Sequence, residues 1–354
     1  MPTIPKLTPV AEADPHVFIL GAGASLAACP EGDRDGRVVP VMKNLVEVVG
    51  LDRMLADAGI DYEGRDFEAV YDALAASGEH TDLVRDVERQ VENYFAALQL
   101  PDRPTVYDYL LLSLRPKDLV ATFNWDPFLA QAYQRNRFAA PLPRLAFLHG
   151  NVAFGYCPDH RRAGWMEDVC DTCGAAFQST PLLYPVRDKD YTRDPFIENE
   201  WKVLRKHVES AYFLSIFGYS APQTDAAARD AMMGVWQQNA TRELAEVEII
   251  DIKSEEELHE SWKEFITRTH YVIENSLMRS YVCWHPRRSC DGLAAATLQN
   301  TPWKDDWLPE VDSLDELQAW IQPLIEEETE LEGTSEWFSG RPCQELRDAE
   351  GGGE

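Results

Sequence analysis

Five short, largely apolar runs, each ending in a glycine or a polar group, constrain this chain's fold more than anything else in it. They are "VFIL" before Gly21, "LVATF" before Asn124, "RLAFL" before His149, "FLSIF" before Gly218 and "EVEII" before Asp251. Runs that are apolar rather than alternating belong to strands covered on both faces. Strands separated by helical patterns pair in parallel. The fold class expected is therefore α/β, a mainly parallel sheet with helices on both faces and two insertions.

The first insertion is helical and occupies about residues 40–116. "VMKNLVEVVGLDRML", "FEAVYDALA" and "LVRDVERQVENYFAALQL" place apolar residues at helical spacing. The second is a cysteine-bearing module at about 151–193. "NWDPFLAQAYQRN" reads as a turn and helix with Pro127 near its start. "SEEELHESWKEFITRT" reads as a helix opened by Ser254, with Glu257 at capping-box spacing. One domain spans 1–327, followed at 328–354 by an acidic, solvated tail. From Glu326 onward there are ten acidic residues against two arginines.

The 354 residues suffice for a substantial core. No segment approaches the ~20 apolar residues of a membrane helix, and "MPTIPKLTPVAEADPH" lacks a signal-peptide pattern. A soluble, cytoplasmic protein is expected. The net charge of −28 disfavours direct binding to nucleic acid or to an anionic membrane. Seven irregularly spaced cysteines do not suggest a secreted disulfide framework.

Each strand end admits a plain and a functional reading. In "GAGAS", Gly21, Ala22 and Gly23 open a helix where bare backbone can approach a pyrophosphate, with Ser25 adding a hydroxyl; the plain reading is a tight turn. The third glycine of the usual dinucleotide fingerprint is replaced by Leu26. In "TFNWD", Asn124 and Asp126 either face a ligand or cap the next helix. His149 in "LHG" is a candidate general base or a loop residue. "FGYSAPQTD" offers Gly218 and Ser220 to a phosphate or ribose, and Asp225 as a cap. Asp251 can hold ribose hydroxyls or be a solvated turn residue. Ligands of open parallel sheets bind outside the carboxyl ends of the strands. Five such groups on that one edge favour the functional reading together.

"CPDH" and "CDTC" set Cys157 and His160 against Cys170 and Cys173. Three thiolates and one imidazole suit tetrahedral zinc, and four protein ligands make the site structural. Asp159 and Asp171 are alternative fourth ligands, and reduced, unliganded cysteines are the plain reading. Cys283, His285 and Cys290 in "CWHPRRSC" make a poorer candidate.

The ordered set GAGAS, TFNWD, LHG, CPDH…CDTC and FGYSAPQTD resembles the sirtuin-like NAD-binding superfamily, and within it the bacterial sirtuin-like domains associated with antiviral defence. The resemblance spans about residues 16–290. It implies NAD in a cleft between a Rossmann-like domain and smaller helical and zinc modules. By the matching motifs, Gly21, Gly23 and Ser25 would hold phosphates and Asn124 and Asp126 the nicotinamide ribose. His149 would be the base, Gly218 and Ser220 would line the cofactor, and Asp251 would meet the adenosine ribose.

The chain departs from deacylating sirtuins in several places. "LAACPEGDRDGRVVP" replaces their Gly-Ile-Pro-Asp-Phe-Arg loop, and Phe123 and Trp125 flank Asn124 where Gln and Ile are usual. No clear counterpart of the segments that clamp an acyl-lysine peptide is present. NAD glycohydrolysis is therefore expected ahead of lysine deacylation or non-catalytic sensing of NAD or ADP-ribose. The resemblance further implies gating by an activating protein partner or by homo-oligomerisation.

Overall fold

A computed structural model describes residues 14–186, 191–220, 226–239, 244–267, 269–299 and 306–331. Its main sheet has six parallel strands: β1 (His16–Leu20), β2 (Leu119–Thr122), β3 (Arg144–Phe147), β7 (Phe213–Phe217), β8 (Glu246–Ile250) and β9 (His270–Glu274). The spatial order is β3-β2-β1-β7-β8-β9. Numbered within this sheet alone, that is 3-2-1-4-5-6, the doubly wound Rossmann-like order. Every residue of β1, β2 and β7 is buried, as strands with both faces covered require. The chain runs outward from β1 on one side and from β7 on the other, so the strand order reverses between them.

β9 was not among the expected strands. "HYVIE" is a polar-ended edge strand whose residues are exposed or half-buried, so no continuous apolar run marks it. Six helices lie between β1 and β2 among the described residues: Ala22–Ala28 directly after β1, then Leu45–Val49, Asp52–Asp57, Phe67–Ser77, Thr81–Ala96 and Val106–Leu112. A separate three-stranded antiparallel sheet carries the cysteine module, with β4 (Phe154–Cys157) between β5 (Arg162–Trp165) and β6 (Gln178–Ser179). The capping box at Ser254 and Glu257 is formed, and Pro127 is the N-cap residue of helix Phe128–Asn136.

Helix Leu314–Leu331 extends past the expected tail boundary at 328, and Glu328, part of the acidic run, is an ion-pair partner. Arg287, buried and held at φ +64°, donates to Glu328 from Nε at 2.6 Å and from Nη2 at 2.7 Å. The same guanidinium donates to the Leu112 and Leu114 carbonyls at the end of helix Val106–Leu112. Residues 332–354 and Asp225 lie outside the described residues. No helix among the described residues is long and apolar enough to cross a membrane.

Candidate active site

The glycines of "GAGAS" are bare chiefly because of the protein's own chain. A Cβ added to Gly21 would lie 2.5 Å from Tyr219 Cα, and one on Gly23 would lie 2.7 Å from Gly218 Cα. Gly218 has φ +61°, and its Cβ would meet the Ala24 nitrogen at 2.4 Å. The turns after β1 and β7 thus cross backbone to backbone, at the point where the strand order reverses. Gly21 N–H donates to the Phe217 carbonyl, Gly23 N–H to Gly218 and Ala24 N–H to Gly21. This turn therefore presents fewer amides to a phosphate than its sequence implies.

Above that crossing lies a cavity of about 570 Å³, within the usual size range of small-molecule sites. All ten expected site residues outside the metal cluster line it: Gly21, Ala22, Gly23, Ser25, Asn124, Asp126, His149, Gly218, Ser220 and Asp251. Its other wall comes from the helical insertion and from Leu183 and Pro185, and is largely apolar through Val39, Met42, Leu45, Phe95 and Trp125.

Three of these side chains form one buried network. The Asn124 amide donates to the Gly21 carbonyl at 2.8 Å and to Ser25 Oγ at 2.9 Å. Gly21 O can only accept, which fixes the amide's orientation. Ser25 Oγ donates to Asp126 Oδ2 at 2.6 Å, while Asp126 Oδ1 accepts from the Phe128 amide at 3.2 Å. Asp126 thus accepts from the first amide of helix Phe128–Asn136 and also grips Ser25. Burial raises the Asp126 carboxyl to about 6 against the opposing pull of these hydrogen bonds. Ser25 Oγ is engaged by the protein's own groups. Its hydroxyl gives its proton to Asp126 and accepts from Asn124, and its remaining acceptor position faces Tyr107 OH at 2.8 Å.

His149 follows β3 at the cavity wall. Its ring meets Phe123 edge-on at 4.8 Å and lies parallel to Tyr191 at 5.9 Å, and Phe123 stacks on Tyr219 at 4.3 Å. Its backbone carbonyl accepts from Leu183 at 2.9 Å. Asp251 donates its amide to Glu274 O, and its Oδ1 accepts from the Lys253 amide at 3.1 Å.

The sequence did not single out Tyr107 or Asn151. Tyr107 sits in an apolar helical run that gives no sign of which face meets the sheet. Asn151 Nδ2 donates to the Asp126 carbonyl at 2.7 Å, its backbone N–H donates to Thr180 Oγ1 and its carbonyl accepts from the same hydroxyl. Adjacent to the noted "LHG", Asn151 was the more legible of the two. It ties both ends of the cysteine module to the "TFNWD" loop.

In that module, Cys157 Sγ lies 3.5 Å from His160 Nδ1 and 3.8 Å from Cys173 Sγ, and Cys170 Sγ lies 3.8 Å from His160 Nδ1. The four ligand atoms lie within 4.8 Å of one another. Zinc bonds of about 2.3 Å to sulfur and about 2.0 Å to nitrogen give tetrahedral edges of roughly 3.5–3.8 Å. The donor set fits a four-coordinate structural zinc. His160, rather than Asp159 or Asp171, completes it. Purified protein is expected to carry one zinc per chain by metal analysis, and Cys170→Ser to lose it. The melting temperature should then fall by roughly 5 °C or more, since each kcal/mol shifts a domain of this size by a few degrees. Full zinc content in the variant would refute the assignment. Cys283 and Cys290, by contrast, are core thiols that burial pushes up to about 12.

No known protein family and no curated protein matches the sequence. Among solved structures, one described as the structural basis of sirtuin substrate affinity is 15% identical. The match covers 75% of this chain and 91% of that one, with a TM-score of 0.40. A Sir2 homologue in complex with NAD is 14% identical over 82% of this chain and 92% of that one, with a TM-score of 0.40. Sir2 bound to an acetylated peptide is 12% identical over 82% and 95%, with a TM-score of 0.38. The architecture itself rests on the strand order and the crossed turns.

Proposed function

We propose that this protein hydrolyses NAD at the bond between nicotinamide and ribose. One observation carries the reading. Polar groups from five strand ends meet around one cavity, at the place where a doubly wound sheet accepts a dinucleotide.

Nicotinamide leaves with the bonding electron pair, which neutralises its ring nitrogen, and water oxygen bonds to the ribose carbon. The site needs to hold ribose and pyrophosphate while positive charge grows on the sugar. The Asn124 amide nitrogen is committed internally, so its carbonyl oxygen is the atom available to orient the ribose or the incoming water. Asp126 sets Ser25 and, through it, Asn124. His149 takes the proton that water or a ribose hydroxyl gives up. Nicotinamide and ADP-ribose result. Gly21, Ala22, Gly23, Gly218 and Ser220 line the dinucleotide's path, and Asp251 stands where the second ribose would lie.

Unchecked hydrolysis would drain a cell of NAD. Basal activity is therefore proposed to be low and raised by a protein partner or by self-association, in keeping with a defence role. The test is product analysis of purified protein with NAD, alone and with acyl-lysine peptides. Release of nicotinamide and ADP-ribose without peptide supports hydrolysis. Formation of O-acyl-ADP-ribose only when peptide is present would replace it with deacylation.

A further inference from the structure

Tyr107 lies on helix Val106–Leu112 of the insertion, outside every strand-end motif, yet its hydroxyl reaches the polar network of Ser25 and Asn124.

 

We propose that Tyr107 is a positioning residue, whose hydroxyl proton fixes Ser25, and through Ser25 the Asp126 carboxylate and the Asn124 amide at the cavity wall. The inference rests on the proposed NAD chemistry for what the network serves, and on geometry alone for the network itself.

Counting protons gives the direction. Tyr107 OH lies 2.8 Å from Ser25 Oγ and 3.3 Å from Asn124 Nδ2. Ser25 has one proton, and the 2.6 Å contact to the acceptor Asp126 Oδ2 takes it. Tyr107 must then be the donor to Ser25. Asn124, with its two amide protons shared among Gly21 O, Ser25 Oγ and Tyr107 OH, completes the set. Tyr107 is fully buried, and burial holds its phenol well above the usual value, so it remains a donor. A chain in which Tyr107 donates to Ser25 and Ser25 donates to Asp126 strengthens each link, because every donor is polarised by the bond it accepts. Cys29 is also close to Asp126, and burial pushes its thiol up to about 12 and so keeps it neutral. His149 lines the same cavity.

Tyr107→Phe removes one oxygen and preserves the ring. Two readouts are needed. In the apo protein, the Asp126 carboxyl is titrated by carbon-13 NMR, with Asp126→Asn assigning the signal. With NAD, kcat and KM for nicotinamide release are measured against pH. Loss of the donor should raise the Asp126 midpoint by about half a pH unit or more. It should also lower kcat roughly tenfold while leaving KM within about twofold, as expected for misplacement of the groups around the reacting atoms. Should Tyr107→Phe fail to fold, 3-fluorotyrosine at position 107, a stronger donor of nearly the same size, should move the midpoint downward. An unchanged Asp126 midpoint in the folded variant overturns the proposal, whatever happens to thermal stability. Because the titration needs no turnover, absence of nicotinamide release from the wild-type protein would remove the hydrolase reading and leave this test standing.

Discussion

Replacing His149 with alanine is expected to cut nicotinamide release by about 10²–10⁴-fold while leaving NAD affinity within a few-fold, the signature of a lost general base. The ring stands at the end of β3, between the edge-on Phe123 and the parallel Tyr191. Its position is thus set by aromatic packing, and its backbone by the Leu183 contact. Alanine deletes the ring and also leaves a gap between two aromatics, worth roughly 1 kcal/mol of packing. His149→Gln separates these effects, because it fills much of the space and keeps hydrogen-bonding groups without an imidazole's proton affinity. Both variants should bind NAD by calorimetry and both should turn over slowly. Near-normal turnover in His149→Gln would remove His149 from proton transfer and leave it as a wall of the cavity.

The convergence of the strand ends was legible because it follows from a general property of parallel sheets. All strands point the same way, so the residues that end their apolar runs share one edge. Gly21, Asn124, His149, Gly218 and Asp251 could be gathered on that ground before any coordinates. The zinc ligands were legible for a different reason, since Cys157 with His160 and Cys170 with Cys173 each form a local chelating pair.

Less local features were hidden. Whether the Ser25 hydroxyl faces the ligand or the protein depends on Tyr107 and Asp126, which stand 82 and 101 residues away. β9 carries too little apolar sequence to announce itself at a sheet edge. Past residue 327, Glu328 of the last helix pairs with Arg287 and Arg288, about 40 residues away in the sequence. Acidic composition alone pointed to a solvated tail there.

Gly218→Ala is expected to have a large effect on the folded state, costing about 3–5 kcal/mol and removing the cavity's floor. Two independent penalties act on one methyl group. The residue sits at φ +61°, a conformation that L side chains rarely adopt, and its new Cβ would fall 2.4 Å from the Ala24 nitrogen and 2.5 Å from the Gly23 carbonyl carbon. Those neighbours are backbone and cannot rotate away. Relief requires the turns after β1 and β7 to separate, which breaks the 2.9 Å bond from Gly23 N–H to the Gly218 carbonyl. Gly234→Ala is the control, because its Cβ would meet nothing within 4 Å, and in helix Ala226–Gln238 alanine is the better helix former. Denaturant unfolding should show the Gly218 variant strongly destabilised or insoluble and the Gly234 variant unchanged or slightly more stable. If Gly218→Ala unfolded at the wild-type midpoint and retained NAD binding, the turns would not cross as tightly as described, and the glycines of "GAGAS" would return to being explained by the ligand alone.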